Sequence, residues 1–257
     1  MKITDVRLTK VEGQFPRALS TSVERQVGAL DLFPEYRARA YRAPKPEELG
    51  GTRPISGVYV HVDTDEGITG LFGPIMEAQG FLIATGLRPH LLGQDPIAVE
   101  HLWDVMARHD RHARKGYMMM AISAVDLALW DIRGKAAGLP VYRLLGGPTR
   151  AAVPAYASML GHSLEPDKVA ETAREFVRKG YTAQKWFFRY GPGDGREAIA
   201  RNMELVRTLR EAVGDGIDLM FDAWLGWDVP FSIEMGRRMA PYNPRWLEEP
   251  VQPDHIE

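Results

Sequence analysis

Apolar positions change their period along this chain, and those changes divide it. From Lys2 to Val11 apolar and polar residues alternate closely enough to predict a strand. The run "GVYVHVDTDEGITGLFGP" (57–74) predicts two more, joined at "DTDEG", where Gly67 supplies the turn. Between them, residues 14–54 are polar, rich in Arg and Pro and poor in periodicity; a loop of that length points to a lid or binding loop. Helical spacing then takes over at 76–93 and 96–110. It is strongest at 117–138, where Met119, Ile122, Val125, Leu129 and Ile132 fall at three- and four-residue steps and Gly138 before Pro140 ends the run.

After "LLGG" (144–147) the rhythm changes again. Candidate strands at 151–159, 181–188, 217–224 and 245–250 alternate with helices at 165–180, 195–214 and 228–240. That alternation predicts a parallel sheet with right-handed crossovers, so a small α+β unit precedes an α/β unit.

Composition narrows the chemistry. The chain is 45% hydrophobic and 26% charged, with a formal net charge of −2, which argues against a nucleic-acid partner held by bulk charge. No apolar stretch approaches the roughly 20 residues of a membrane span, and the start carries no signal core, so no membrane partner and a cytoplasmic location are expected. There are no cysteines, so a metal here would be held by oxygen or imidazole.

Reactive groups of parallel α/β barrels gather at the C-terminal ends of the strands. Asp222 and Glu248 end successive predicted strands, and Lys185 lies in the strand before them. Two carboxylates beside a cation, without thiols, suit a hard divalent ion such as Mg²⁺. Taken singly, each residue has a plainer reading: Asp222 as a cap, "EEP" (248–250) as an exposed turn, Lys185 as a solvated side chain. It is the joint spacing, with each charge closing an apolar run, that favours a site.

Together "AISAVDLALWDIRGKAAGLPVYRLLGG" (121–147), "LMFDAW" (219–224) and "WLEEP" (246–250) resemble the enolase superfamily in its mandelate racemase-like branch. The resemblance implies an α+β N-terminal capping domain (1–147, with the lid loop 14–54) and a TIM-like (β/α) barrel from 148 onward. It also implies a Mg²⁺ site that binds a substrate carboxylate, with Asp222 and Glu248 as metal ligands and Glu249 beside them in a supporting role. Lys185 matches the first lysine of a Lys-x-Lys pair and would act electrostatically near the substrate carboxylate. The second lysine, an acid/base in relatives, is replaced by Phe187.

The run "KWFFRYGPGDG" (185–195) is most similar to acid-sugar dehydratases of the L-rhamnonate type. That implies abstraction of an α-proton from a sugar acid and elimination of water to a 2-keto-3-deoxy acid. Arg189, Arg37 and Arg42 are candidate substrate contacts. Four predicted barrel strands precede Glu257, where eight close a barrel. The third metal ligand and the His–Asp acid/base pair of the family would lie beyond. The expectation is therefore an α+β cap followed by an incomplete α/β barrel, stopping after its fourth strand and inactive alone. A homo-oligomer or a companion chain would complete it. Two alternatives stand beside this one: another reaction of the superfamily (racemase, epimerase or cycloisomerase), and a non-catalytic role through association.

Overall fold

The computed structural model describes residues 1–16, 25–37 and 51–255; Arg42 lies outside them, as does the side chain of Arg37. In chain order the first elements are strand β1 (Ile3–Pro16), the one-turn helix α1 (Pro34–Arg37), β2 (Thr52–Thr64) and β3 (Thr69–Ile75). Helices α2 (Glu77–Leu82), α3 (Arg88–Leu91), α4 (Val99–His109), α5 (Gly116–Ala137) and α6 (Val141–Leu144) follow. Then come β4 (Ala157–Ser158), α7 (Pro166–Arg178), β5 (Ala183–Phe187), α8 (Ala198–Val213), β6 (Asp218–Asp222), α9 (Val229–Met239) and β7 (Trp246–Glu248). None of the described helices is long and apolar enough to cross a membrane.

The described residues form two compact units: 1–15 with 52–152, and 16, 25–37 and 51 with 153–255. The first unit runs on to residue 152, and of the segment between β1 and β2 the described residues 25–37 group with the second unit.

In the first unit the strands lie in the order β1-β2-β3, and β2 pairs antiparallel with β3 around Gly67, whose φ of 78° the turn requires. Helix α5 covers this sheet with Ile122, Val125, Leu129 and Ile132, all fully buried, as its spacing predicts. Gly70 lets strand and helix touch: a Cβ there would collide with the carbonyl oxygen of Ala128. Gly138 ends α5 in the left-handed conformation, φ 64°, and Leu139 N–H closes back on Gly134 O at 3.0 Å. The helix expected over 76–93 carries a π-turn at Ile83–Leu87 between α2 and α3. Pro89, which has no N–H to donate, is the second residue after it.

The second unit is a parallel sheet in the order β4-β5-β6-β7 with α7, α8 and α9 as crossovers. The strand expected over 151–159 shortens to Ala157–Ser158; Pro154 cannot join a hydrogen-bond ladder. Outward-facing side chains of the sheet meet the helices in a second core, where Phe188 stacks on Phe221 at 5.3 Å and tilts against Trp227 at 4.8 Å. Helix α9 starts where Asp228 accepts the Phe231 N–H at 2.8 Å.

Candidate functional site

Strand register builds the site. Phe187 of β5 lies opposite Asp222 of β6, and Asp222 lies opposite Glu248 of β7. Lys185, two residues before Phe187, therefore points to the same face. Its ammonium donates to Asp222 Oδ2 at 3.0 Å and to Glu248 Oε1 at 2.7 Å. Asp222 and Lys185 are buried, whereas a third of the Glu248 side chain is exposed. The remaining carboxylate oxygens also have donors: Trp224 N–H to Asp222 Oδ1 at 2.9 Å, and the Trp246 indole N–H to Glu248 Oε2 at 3.1 Å.

Burial alone would lower the Lys185 pKa. Its hydrogen bonds to Glu248 and Asp222, and their charges, outweigh that and hold the ammonium above the ordinary lysine value. For Glu248 burial acts upward, but the hydrogen bonds from Lys185 and Trp246 and the lysine charge win and keep the carboxyl below its ordinary value. Both groups are charged at neutral pH.

The backbone around these carboxylates is unusual. Among the described non-glycine residues, positive φ occurs at Trp224 (43°), Leu225 (58°), Asn243 (47°) and Glu249 (43°), so three of the four cluster at the ends of β6 and β7. Such angles are costly for residues with a Cβ and persist where surrounding bonds enforce them. Here Ala223 N–H bonds Glu248 O at 3.0 Å, Leu225 N–H bonds Glu249 O at 2.7 Å, and Trp227 N–H bonds Pro250 O at 3.1 Å. Glu249, expected beside the ligands, contributes through this carbonyl, and its side chain is exposed.

Arg189 does not join the Lys185 cluster. Its guanidinium pairs with Glu165 at 3.4 Å and lies over the Tyr190 ring, lining a cavity of about 280 Å³ with Val169, Arg201 and Asn202. Arg37 closes α1; its side chain and Arg42 lie outside the described residues. His162, just after β4, packs edge-on against Phe176 at 5.5 Å.

A feature not read from the sequence is the seat of residues 25–33. Val27 is 2% exposed in the second core, and its N–H bonds Phe188 O at 3.0 Å. A Cβ on Gly226 would collide with Val27, so that glycine makes room for it. Asp31 is buried, ion-paired to Arg25, and accepts the Gly28 N–H at 2.7 Å. One valine in a polar stretch gives no periodic signal, and the sequence pattern pointed only to a lid or binding loop.

Asp222 and Glu248 fit a hard divalent cation in kind: two oxygen anions on adjacent strand ends, held by donors that fix their orientation. In number they fall short, since such ions take about six ligands. Among the described residues no group of three His, Cys, Asp or Glu side chains converges on one point.

Residues 38–146 match the family described as mandelate racemase / muconate lactonizing enzyme, N-terminal domain, and residues 168–257 match the enolase C-terminal domain-like family. An L-rhamnonate dehydratase of Saccharopolyspora erythraea is 34% identical over 224 residues, covering 86% of this chain and 53% of that protein. A 3,6-anhydro-alpha-L-galactonate cycloisomerase of Streptomyces coelicolor is 33% identical over 236 residues, covering 88% of this chain and 63% of that protein. The crystal structure of a rhamnonate dehydratase from Gibberella zeae complexed with Mg aligns with a TM-score of 0.78 at 26% identity, over 99% of this chain and 61% of that one. The chain thus spans between half and two thirds of the length of these relatives. With both domain families matched in order, and with the cap and the parallel strands they imply in place, the chain belongs to the enolase superfamily, in its mandelate racemase-like branch.

Proposed function

We propose that this chain supplies the metal- and carboxylate-binding part of a Mg²⁺-dependent acid-sugar dehydratase. The observation that carries this reading is the in-register pair Asp222–Glu248 with the Lys185 ammonium between them. Asp222 and Glu248 would hold Mg²⁺. Bound there, the ion would supply Lewis-acid stabilisation of the negative charge that grows on the substrate carboxylate as its α-proton leaves. Lys185 keeps its proton, so its part is to donate hydrogen bonds and positive charge to that carboxylate. Phe187 stands opposite Asp222 and cannot exchange a proton. Proton transfer therefore falls to groups other than those on β5, which favours dehydration over the racemase, epimerase or cycloisomerase alternatives. The reaction removes the α-hydrogen and the β-hydroxyl of the sugar acid as water, and tautomerisation gives a 2-keto-3-deoxy acid.

Intact mass, Mg²⁺ calorimetry and turnover of a sugar-acid panel, followed as 2-keto acid, test this together. Two carboxylates should bind Mg²⁺ with Kd on the order of 1 mM, and Asp222→Asn should abolish both binding and any turnover. Binding unchanged in Asp222→Asn would overturn the metal assignment. Turnover that needs no Mg²⁺ would overturn the mechanism.

One observation favours association as a second reading. Trp246, 37% exposed, stands two residues before Glu248 on the same sheet face, edge-on to the exposed Tyr156 at 5.9 Å. A second copy or a companion chain would cover these rings, and sedimentation of the purified chain reads the mass directly.

A further inference from the structure

We propose that Val27 is a positioning residue for the carboxylate pair. Wedged against the turn that follows β6, it keeps that turn in the form that aims the Trp224 N–H at Asp222. Seating of residues 25–33 and binding of a divalent cation at Asp222 and Glu248 then strengthen each other. This rests on the metal reading above and deepens it.

The turn after β6 carries strain that its surroundings must hold. Trp224 and Leu225 have φ of 43° and 58°, and the Trp224 N–H donates to Asp222 Oδ1 at 2.9 Å. On one side, the N–H groups of Ala223 and Leu225 are tied to the carbonyls of Glu248 and Glu249. Val27 and Gly28 stand on the other. A Cβ on Gly226 would collide with Val27 Cγ2 and lie 3.0 Å from Gly28 O. One on Gly191, in the turn after β5, would lie 3.1 Å from the same methyl and 2.8 Å from Gly226 O. Both glycines make room where the valine is seated. Its backbone reaches the site as well: Val27 N–H donates to Phe188 O at 3.0 Å, and Phe188 N–H donates to Asp222 O at 2.9 Å.

A strained turn persists only while enough contacts enforce it. Without the valine methyls it can relax into the space they leave, and Asp222 loses the donor that fixes its orientation. A ligand freed in this way holds a metal more weakly. The reverse also follows, because coupling between two binding events is reciprocal: a cation that fixes Asp222 steadies the turn, and the turn closes on Val27. The segment has other holds. Arg25 pairs with Asp31 and, at 3.8 Å, with Asp194, and these carboxylates accept the N–H groups of Gly28 at 2.7 Å and Gly191 at 2.8 Å. Val27→Ala therefore removes the wedge and leaves the segment docked.

Mg²⁺ titrations of the full chain, followed at the resonance of the Trp246 indole N–H that donates to Glu248, give the test. Val27→Ala should raise the Kd for Mg²⁺ about fivefold. Val206→Ala makes the same truncation at a fully buried valine of α8 in the same core; it should melt lower and leave the Kd unchanged. In wild type, saturating Mg²⁺ should slow hydrogen exchange of the Val27 amide, a readout that stands even if Val27→Ala does not fold. Equal Kd in wild type and Val27→Ala, an equal rise in Val206→Ala, or Val27 exchange indifferent to Mg²⁺ overturns the positioning role and leaves the metal assignment standing. Failure of wild type to bind Mg²⁺ overturns the metal assignment, and this inference with it.

Discussion

Lys185 donates to two carboxylates that would otherwise face each other, and removing it exposes what it offsets. Lys185→Met should lower stability by about 2 kcal/mol, less than for a fully enclosed pair because a third of Glu248 is open to water. Millimolar Mg²⁺ should then recover part of the loss, raising the melting temperature of Lys185→Met more than that of wild type. If Mg²⁺ leaves the variant's melting point unchanged, the two carboxylates are not a cation site. Asp222 and Glu248 were legible in the sequence because each closes an apolar run one strand–helix step from the other. What holds them was not. The Trp246 indole N–H reaches Glu248 through the two-residue repeat of a strand face, and the Trp224 N–H reaches Asp222 through a backbone angle that no residue preference announces. The position of Arg189 was hidden for a related reason. Alternation would carry it to the face of Lys185 and Phe187, but β5 ends at Phe187, and the turn that follows delivers the guanidinium to Glu165.

Element by element, period was a sound guide wherever an element is amphipathic or fully buried. Helices α7, α8 and α9 and strands β5, β6 and β7 lie within the predicted spans, and α5 matches its span to within one residue at each end. Short elements escape it, as β4 and the π-turn before Pro89 show, since a few residues cannot establish a period. Cross-strand bonds escape it as well. Between β1 and β2, Arg7 Nε donates to Asp63 Oδ2 at 2.6 Å, and this hydrogen bond, helped by one from Thr69 and against burial, holds the Asp63 carboxyl below the usual aspartate range. Because the folded pKa is the lower one, the stabilisation is present above the unfolded value and is lost as pH falls through the folded value. Arg7→Met should therefore melt slightly below wild type at neutral pH, and the two curves should converge as the pH drops below the ordinary aspartate range. A gap that stays constant down to that pH would assign the difference to something other than Asp63.

At the scale of the whole chain, the least legible fact is that a segment between β1 and β2 is built into the barrel unit. Val27 fills a place among Phe188, Gly191 and Gly226 that two distant stretches of sequence must make together. A single-sequence pattern carries no signal for such a long-range contact. Val27→Asp should cost about 3 kcal/mol or more, through lost apolar burial and a carboxylate placed in the core. Limited proteolysis should then cut within residues 25–33 at neutral pH. Cleavage no faster than in wild type would mean that the segment is held by its polar contacts, the Val27 N–H to Phe188 O bond and the Arg25 ion pairs, and not by the valine side chain.

The lysine between the carboxylates also bears on the order of events in synthesis. A site that needed its metal in order to neutralise two facing anions would tie the closing of β6 against β7 to the supply of that metal. With Lys185 already between them, a newly made chain can pair these strands before any cation is bound. Were these carboxylates a magnesium site, chains made on scarce magnesium would still close β6 against β7.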